Sequence, residues 1–171
     1  SLDAAHASDQ PMVASHSGAV TVNNHHRCKP DDIIKAICDT GGYVGVCCIP
    51  AFLGGTGDIN ALLDHVDYIA QNFGPEHVTI GTDRAYASSA MDEQMAKLPD
   101  RRSTRSEFRT LWEPDDALYD SAWKEPQMTE SLAWTNWPLF TVGLVQRGYS
   151  DDDIQNIIGG NCVRVARGVL P

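Results

Sequence analysis

The stretch that decides the fold is Pro11-Met12-Val13-Ala14-Ser15-His16-Ser17, a short apolar run that stops at a histidine and is followed eleven positions on by Arg27. A run that reads as a buried strand and ends in a ligand-type side chain is how α/β barrels place their chemistry, at the C-terminal ends of parallel strands. The pattern recurs at Val78-Thr79-Ile80-Gly81-Thr82-Asp83. Between the two lies Tyr43 to Ile49, apolar almost throughout, as a parallel strand covered on both faces requires.

Helices fill the gaps. Asp31-Asp32 behind Pro30 put negative charge at a helix N-terminus, Ile33, Ile34 and Ile37 share a face, and Gly41-Gly42 ends the element. Behind Asp58, Ile59, Leu62, Leu63, Val66, Ile69, Ala70 and Phe73 recur at helical spacing until Gly74-Pro75. Strand, helix, strand, helix, strand implies right-handed βαβ units and a parallel sheet. With His16 and Asp83 at two strand ends, a metal-dependent hydrolase is the leading expectation.

From Arg84 to Trp137 the pattern breaks down, and Trp112, Trp123, Trp134 and Trp137 all fall in the second half of this stretch. So long a connection is expected to be a lid or excursion, at about residues 84–137, with some helix of its own. Within it Arg101, Arg102, Arg105, Asp115 and Asp116 read as solvated charges. Beyond Pro138 a helix carrying Leu139, Phe140, Leu144 and Val145 ends at Gly148. Ser150 with Asp153 resembles a capping box for a helix over 151–158, and a last helix follows Gly159-Gly160-Asn161.

The 171 residues are 42% hydrophobic, enough to bury a core as one domain. A formal charge of −10 excludes nucleic acid and anionic membrane surfaces as favoured partners, because both reward clustered Lys and Arg. No basic, then apolar, leader opens the chain and no run is long enough to span a bilayer, so the chain reads as soluble; a cytoplasmic location is favoured, with a signal peptide before Ser1 left open. Cys28, Cys38, Cys47, Cys48 and Cys162 are an odd set without zinc-finger spacing and read as reduced, mostly buried thiols.

The ordered motifs 11–17, Arg27, Pro30-Asp31-Asp32, 41–46, 50–53, 64–69, 80–83, 147–154 and 159–161 resemble the C-terminal half of the membrane (renal) dipeptidase family, one of the amidohydrolase-type metal-dependent barrels. The resemblance implies a (β/α)8 barrel of the TIM type, with residues 1–171 forming about strands 6–8 and their helices. It implies two zinc ions in the complete enzyme and a dipeptide with a free C-terminal carboxylate as substrate. Carried over, His16 resembles the sixth-strand zinc ligand and Arg27 the substrate carboxylate clamp. Asp83 resembles the eighth-strand catalytic acid, and His25 matches a histidine common in the substrate-binding motif.

The residue types suit those tasks. Two zinc ions sharing a water lower its pKa and polarise the peptide carbonyl, while a nearby carboxylate orients the nucleophile and passes its proton to the leaving amine. A guanidinium offers a planar bidentate fork to a carboxylate. The family's His-x-Asp, bridging Glu and fifth-strand His have no counterpart here, and His6 falls on a helix. The missing N-terminal barrel half is therefore an expected partner, and the resemblance leaves room for a homodimer.

Plainer readings stay open. His16 can be a hydrogen-bonded structural residue and Asp83 a turn or helix cap. A cluster of His16, His25 and His26 is disfavoured because adjacent side chains diverge. Arg84-Ala85-Tyr86 replaces a common Phe-Asp-Gly, and Cys47-Cys48-Ile49 a common Asn-Phe-Tyr, so the pocket walls differ from many relatives. Rival functions are a related amidohydrolase acting on another amide or a lactone, and a non-catalytic barrel-derived module.

Overall fold

The computed structural model describes residues 2–86, 88–98 and 108–170. Arg101, Arg102 and Arg105 lie outside the described residues. A short helix α1 (Leu2–His6) leads into β1 (Val13–Ser17), α2 (Asp31–Asp39), β2 (Tyr43–Val46), α3 (Pro50–Leu53), α4 (Ile59–Phe73) and β3 (Val78–Ile80). The strands form one parallel sheet in the order β1-β2-β3, with Val13 opposite Tyr43 and Val44 opposite Val78. The expected alternation is therefore present as a small parallel α/β sheet.

Close strand approach explains two of the glycines. A Cβ on Gly45 would sit 2.2 Å from the Ser15 carbonyl oxygen, and one on Gly81 would sit 1.8 Å from the same atom. Any side chain there would force the three strand ends apart, so only Gly lets them converge.

The helices cover the sheet with the faces their spacing assigns. The Asp58 carboxylate accepts from the Asn60 amide and starts α4, and Gly74 ends it. Leu62, Leu63, Val66, Ile69 and Ala70 from α4 then pack with Ile34 and Ile37 from α2 on Val44, Val46 and Val78. The core is closed by Phe140 and Leu144 of α7 (Trp137–Gln146) and by Ile154 and Ile157. β1 is an open edge among the described residues, with Val13 39% exposed, and it pairs with β2 on one side only. Of the four apolar α7 positions, Phe140 and Leu144 are buried, whereas Leu139 and Val145 point to solvent.

Among the described residues of the excursion are α5 (Met91–Ala96), α6 (Pro126–Ser131) and several single 3-10 turns. After α7 come α8 (Asp151–Gln155), a wide turn over Asn156–Gly160 and α9 (Asn161–Val169). α8 stops short of Ile158 because Gly159, at φ 155°, leaves helical space. The Ser150 hydroxyl accepts from the Asp153 amide, and Asp153 answers to the hydroxyl of Ser150 instead of its backbone N–H. No helix among the described residues is long and apolar enough to cross a membrane.

Candidate active site

His16 and Asp83 meet at the C-terminal edge of the sheet, and Arg27 shares a cavity with Asp83. His16 is next to last in β1, held by a 2.9 Å hydrogen bond between Ser15 Oγ and its Nδ1, which leaves Nε2 facing outward at 3.9 Å from Asp83 Oδ1. Ser17, on the opposite pleat, is buried, and its hydroxyl donates to the Arg27 carbonyl at 2.7 Å. That bond ties the loop carrying Arg27 to the end of β1. Asp83 follows β3 with φ at 50°, the one described non-glycine residue in the left-handed region. Backbone strain of this kind concentrates where a side chain must be aimed, and here it turns the carboxylate toward His16.

Arg27 and Asp83 line one cavity of about 350 Å³, together with Ile49, Phe52, Phe108, Trp112 and Leu118. The Arg27 guanidinium lies 5.8 Å from the ring centres of both Phe52 and Trp112, which are themselves stacked 5.8 Å apart. Aromatic faces hold a cation without neutralising it, so the fork stays available to an anion.

His25 lies beneath this arrangement. Its Nδ1 accepts the Arg27 backbone N–H at 3.1 Å, its side chain is 9% exposed, and its ring rests on Phe52 and His26 at 4.6 and 4.5 Å. It supports the backbone of Arg27 and is not among the cavity's lining residues. The divergence expected of His25 and His26 is absent, because a tight turn stacks the two rings. The reading of Asp116 as a solvated charge is also corrected. Its side chain is 3% exposed, and its oxygens lie 3.6 Å from His25 Nε2 and 3.5 Å from His26 Nδ1.

These three side chains are the described group that could hold a metal ion, their nearest donor atoms all within 4.8 Å. The hydrogen bond from Arg27 fixes the ring state of His25. With Nδ1 accepting, the proton of the neutral ring sits on Nε2 and faces Asp116, which suits a carboxylate better than a cation. Burial lowers the His25 pKa, opposed by the Asp116 charge, so this neutral form is favoured.

Burial pushes Cys47 and Cys48 up to about 12 and Cys28 up to about 11, so all three stay protonated and poorly nucleophilic. All five cysteines are free, and Cys162 is the exposed one.

Several motif residues prove to be scaffolding. The Arg147 guanidinium bridges Asp64 at 2.7 Å and Asp67, while the Tyr149 hydroxyl donates to Asp67 at 2.8 Å, locking α7 to α4. Asn161 donates to the carbonyls of Pro75 and Val78 at 2.8 and 2.9 Å. His65 is fully buried and fully paired. Its Nδ1 accepts the Ala19 N–H at 3.0 Å, so its Nε2–H donates to the Leu53 carbonyl, also at 3.0 Å. A histidine at helical spacing among apolar residues is the sequence signal for such a buried, paired ring.

The family model for membrane dipeptidase, peptidase family M19, matches residues 2–104. The chain belongs to this family. It is 36% identical over 87 residues to an uncharacterized Klebsiella pneumoniae protein in the pqqA 5' region, a match covering 47% of this chain and 32% of that one. It is 24% identical to rat (Rattus norvegicus) dipeptidase 3 over 98% of its own length and 30% of the relative's. The chain therefore spans about a third of the length of these curated relatives. Among solved structures it superposes on an amidohydrolase from Pseudomonas aeruginosa with TM-score 0.68 at 23% identity, covering 97% of this chain and 48% of that one. A Rhodobacter sphaeroides metallopeptidase, solved with a phosphinate mimic of the dipeptide L-Ala-D-Ala, superposes with TM-score 0.63 at 20% identity, covering 96% and 38%. The fold is thus that of part of an M19 enzyme, and the family is one of metal-using peptidases.

Proposed function

We propose that residues 1–171 supply strands six to eight of a (β/α)8 barrel, and that the complete enzyme is a zinc-dependent dipeptidase acting on dipeptides with a free C-terminal carboxylate. The observation that supports this reading is that Asp83 shares one cavity with the Arg27 guanidinium, which has no carboxylate ion pair among the described residues, and lies 3.9 Å from the strand-end His16. In this reading Arg27 binds the substrate carboxylate bidentately. Asp83, at the opposite wall, orients the attacking water and carries its proton to the leaving amine.

At that edge His16 offers one free ring nitrogen and Asp83 one carboxylate, whereas a catalytic zinc takes three protein ligands and an open position. These two side chains do not make a zinc site by themselves, and the proposal assigns the remaining donors to the other barrel strands. The test is metal content of the full-length protein. His16→Ala should lower zinc occupancy while Arg27→Lys leaves it unchanged; equal zinc in wild type and His16→Ala would overturn the assignment.

A further inference from the structure

The wall of the cavity that the excursion contributes has a chemistry of its own. Of the seven lining residues, Arg27 and Asp83 are charged, and Ile49, Phe52, Phe108, Trp112 and Leu118 are apolar. Phe108, Trp112 and Leu118 come from the stretch that the strand–helix pattern leaves unexplained. Trp112 and Leu118 pack with Ala117 and Trp123 on Cys47, Ala51 and Phe52, a second hydrophobic cluster separate from the main core. Stacking fixes the wall further: Trp112 lies 5.4 Å from His26, 5.6 Å from Phe108 and 6.4 Å from Tyr119. Asp116, buried between the two histidines, anchors the turn that presents Leu118, whose amide donates to the Asp116 carboxylate at 2.8 Å.

We propose that Trp112 and Leu118, with the stacked Phe52 beside them, form the specificity subsite for the C-terminal residue of the substrate, and that the subsite selects a large apolar or aromatic side chain. The inference rests on the dipeptidase reading and deepens it. A dipeptide lying between Asp83 and Arg27 has its scissile bond at the aspartate and its carboxylate at the guanidinium. Its C-terminal Cα is then one bond from the clamped carboxylate, so its side chain enters the aromatic wall around Arg27. An apolar side chain there gains by leaving water. An acidic one loses its hydration with the one lining cation already engaged and Asp83 repelling it. A cavity of about 350 Å³ lies at the lower end of small-molecule sites, of a size for a dipeptide and little more.

The test compares Gly-Phe, Gly-Leu, Gly-Ala, Gly-Gly and Gly-Asp as substrates of the full-length protein. Gly-Phe and Gly-Leu should exceed Gly-Gly in kcat/KM by roughly 10- to 100-fold, with Gly-Asp poorest. Trp112→Ala and Leu118→Ala should flatten the ranking, lowering Gly-Phe and Gly-Leu by a larger factor than Gly-Gly. Trp112→Phe, which keeps an aromatic wall, should restore most of it. Direct binding of N-acetyl-phenylalanine and N-acetyl-glycine, followed by tryptophan fluorescence, separates the two readings. Turnover with a flat ranking, or a ranking untouched by Trp112→Ala, overturns the subsite and leaves the dipeptidase standing. No turnover of any dipeptide, with N-acetyl-phenylalanine still bound through Trp112 and Arg27, overturns the dipeptidase and keeps the subsite. Neither turnover nor binding overturns both.

Discussion

The sheet with its covering helices and the mouth built by the excursion satisfy their buried polar groups differently. In the sheet region His65, Thr79 and Asn161 are buried, and each finds backbone partners at 2.7 to 3.0 Å. At the mouth, the buried His25 Nε2, Trp112 Nε1 and Tyr119 hydroxyl have no hydrogen-bond partner among the described residues. Ring stacking and the Asp116 carboxylate hold that region instead. A fully paired interior specifies one arrangement, whereas a region held by stacking adjusts at lower cost. Stability therefore resides in the sheet, and the proposed substrate selection would fall to the more adaptable mouth.

The contrast breaks first if core truncations are tolerated. Phe140→Ala and Leu62→Ala, at fully buried positions, should each destabilise by about 3–5 kcal/mol in denaturant unfolding. The same truncation at Trp112, which is half-buried, should cost clearly less. A smaller effect is expected at the polar links. Asn161→Ala strands the carbonyls of Pro75 and Val78 and should cost about 1–3 kcal/mol.

A pH effect follows from His65. Burial lowers its pKa below the ordinary value of 6.5, so the folded chain keeps this ring neutral while the unfolded chain protonates it. The unfolded state then binds more protons below pH 6.5, and stability falls as the pH drops from there toward the lower folded value. His65→Gln, which retains a side-chain donor and acceptor, should flatten that part of the stability profile measured by urea unfolding between pH 7 and 5. Smallest should be Asp116→Asn. It should leave the unfolding midpoint of the core nearly unchanged while loosening the mouth, seen as altered Trp112 fluorescence.

How legible each region was in the sequence follows from the same division. α4 could be read because Asp58, seven apolar positions and Gly74 all agree, and β2 because an apolar run between glycines has few other uses. The exposed edge of β1 could be read only through the family resemblance, which leaves it without the preceding strands, since an apolar run by itself does not disclose which neighbours it has. His16, Arg27 and Asp83 stood out as chemistry-bearing residues at strand ends and beyond. Asp116 did not, because a carboxylate in a polar loop looks solvated until two histidines some ninety positions earlier are folded against it. The wall formed by Trp112 and Leu118 was hidden for the same reason: its packing joins distant stretches and has no period.

The most direct test of the central claim, that Arg27 and Asp83 frame a site for a dipeptide carboxylate and its scissile bond, is the kinetics of Arg27→Lys in the full-length protein. Lysine keeps the charge and loses the fork, so kcat/KM for free dipeptides should fall by about 1.5–3 kcal/mol of lost binding, chiefly through KM, with zinc content unchanged. C-terminally amidated dipeptides should be poor substrates of both forms. Unchanged dipeptide kinetics in Arg27→Lys, together with amidated dipeptides cleaved as well as free ones, would contradict the account and favour an amidohydrolase of neutral substrates.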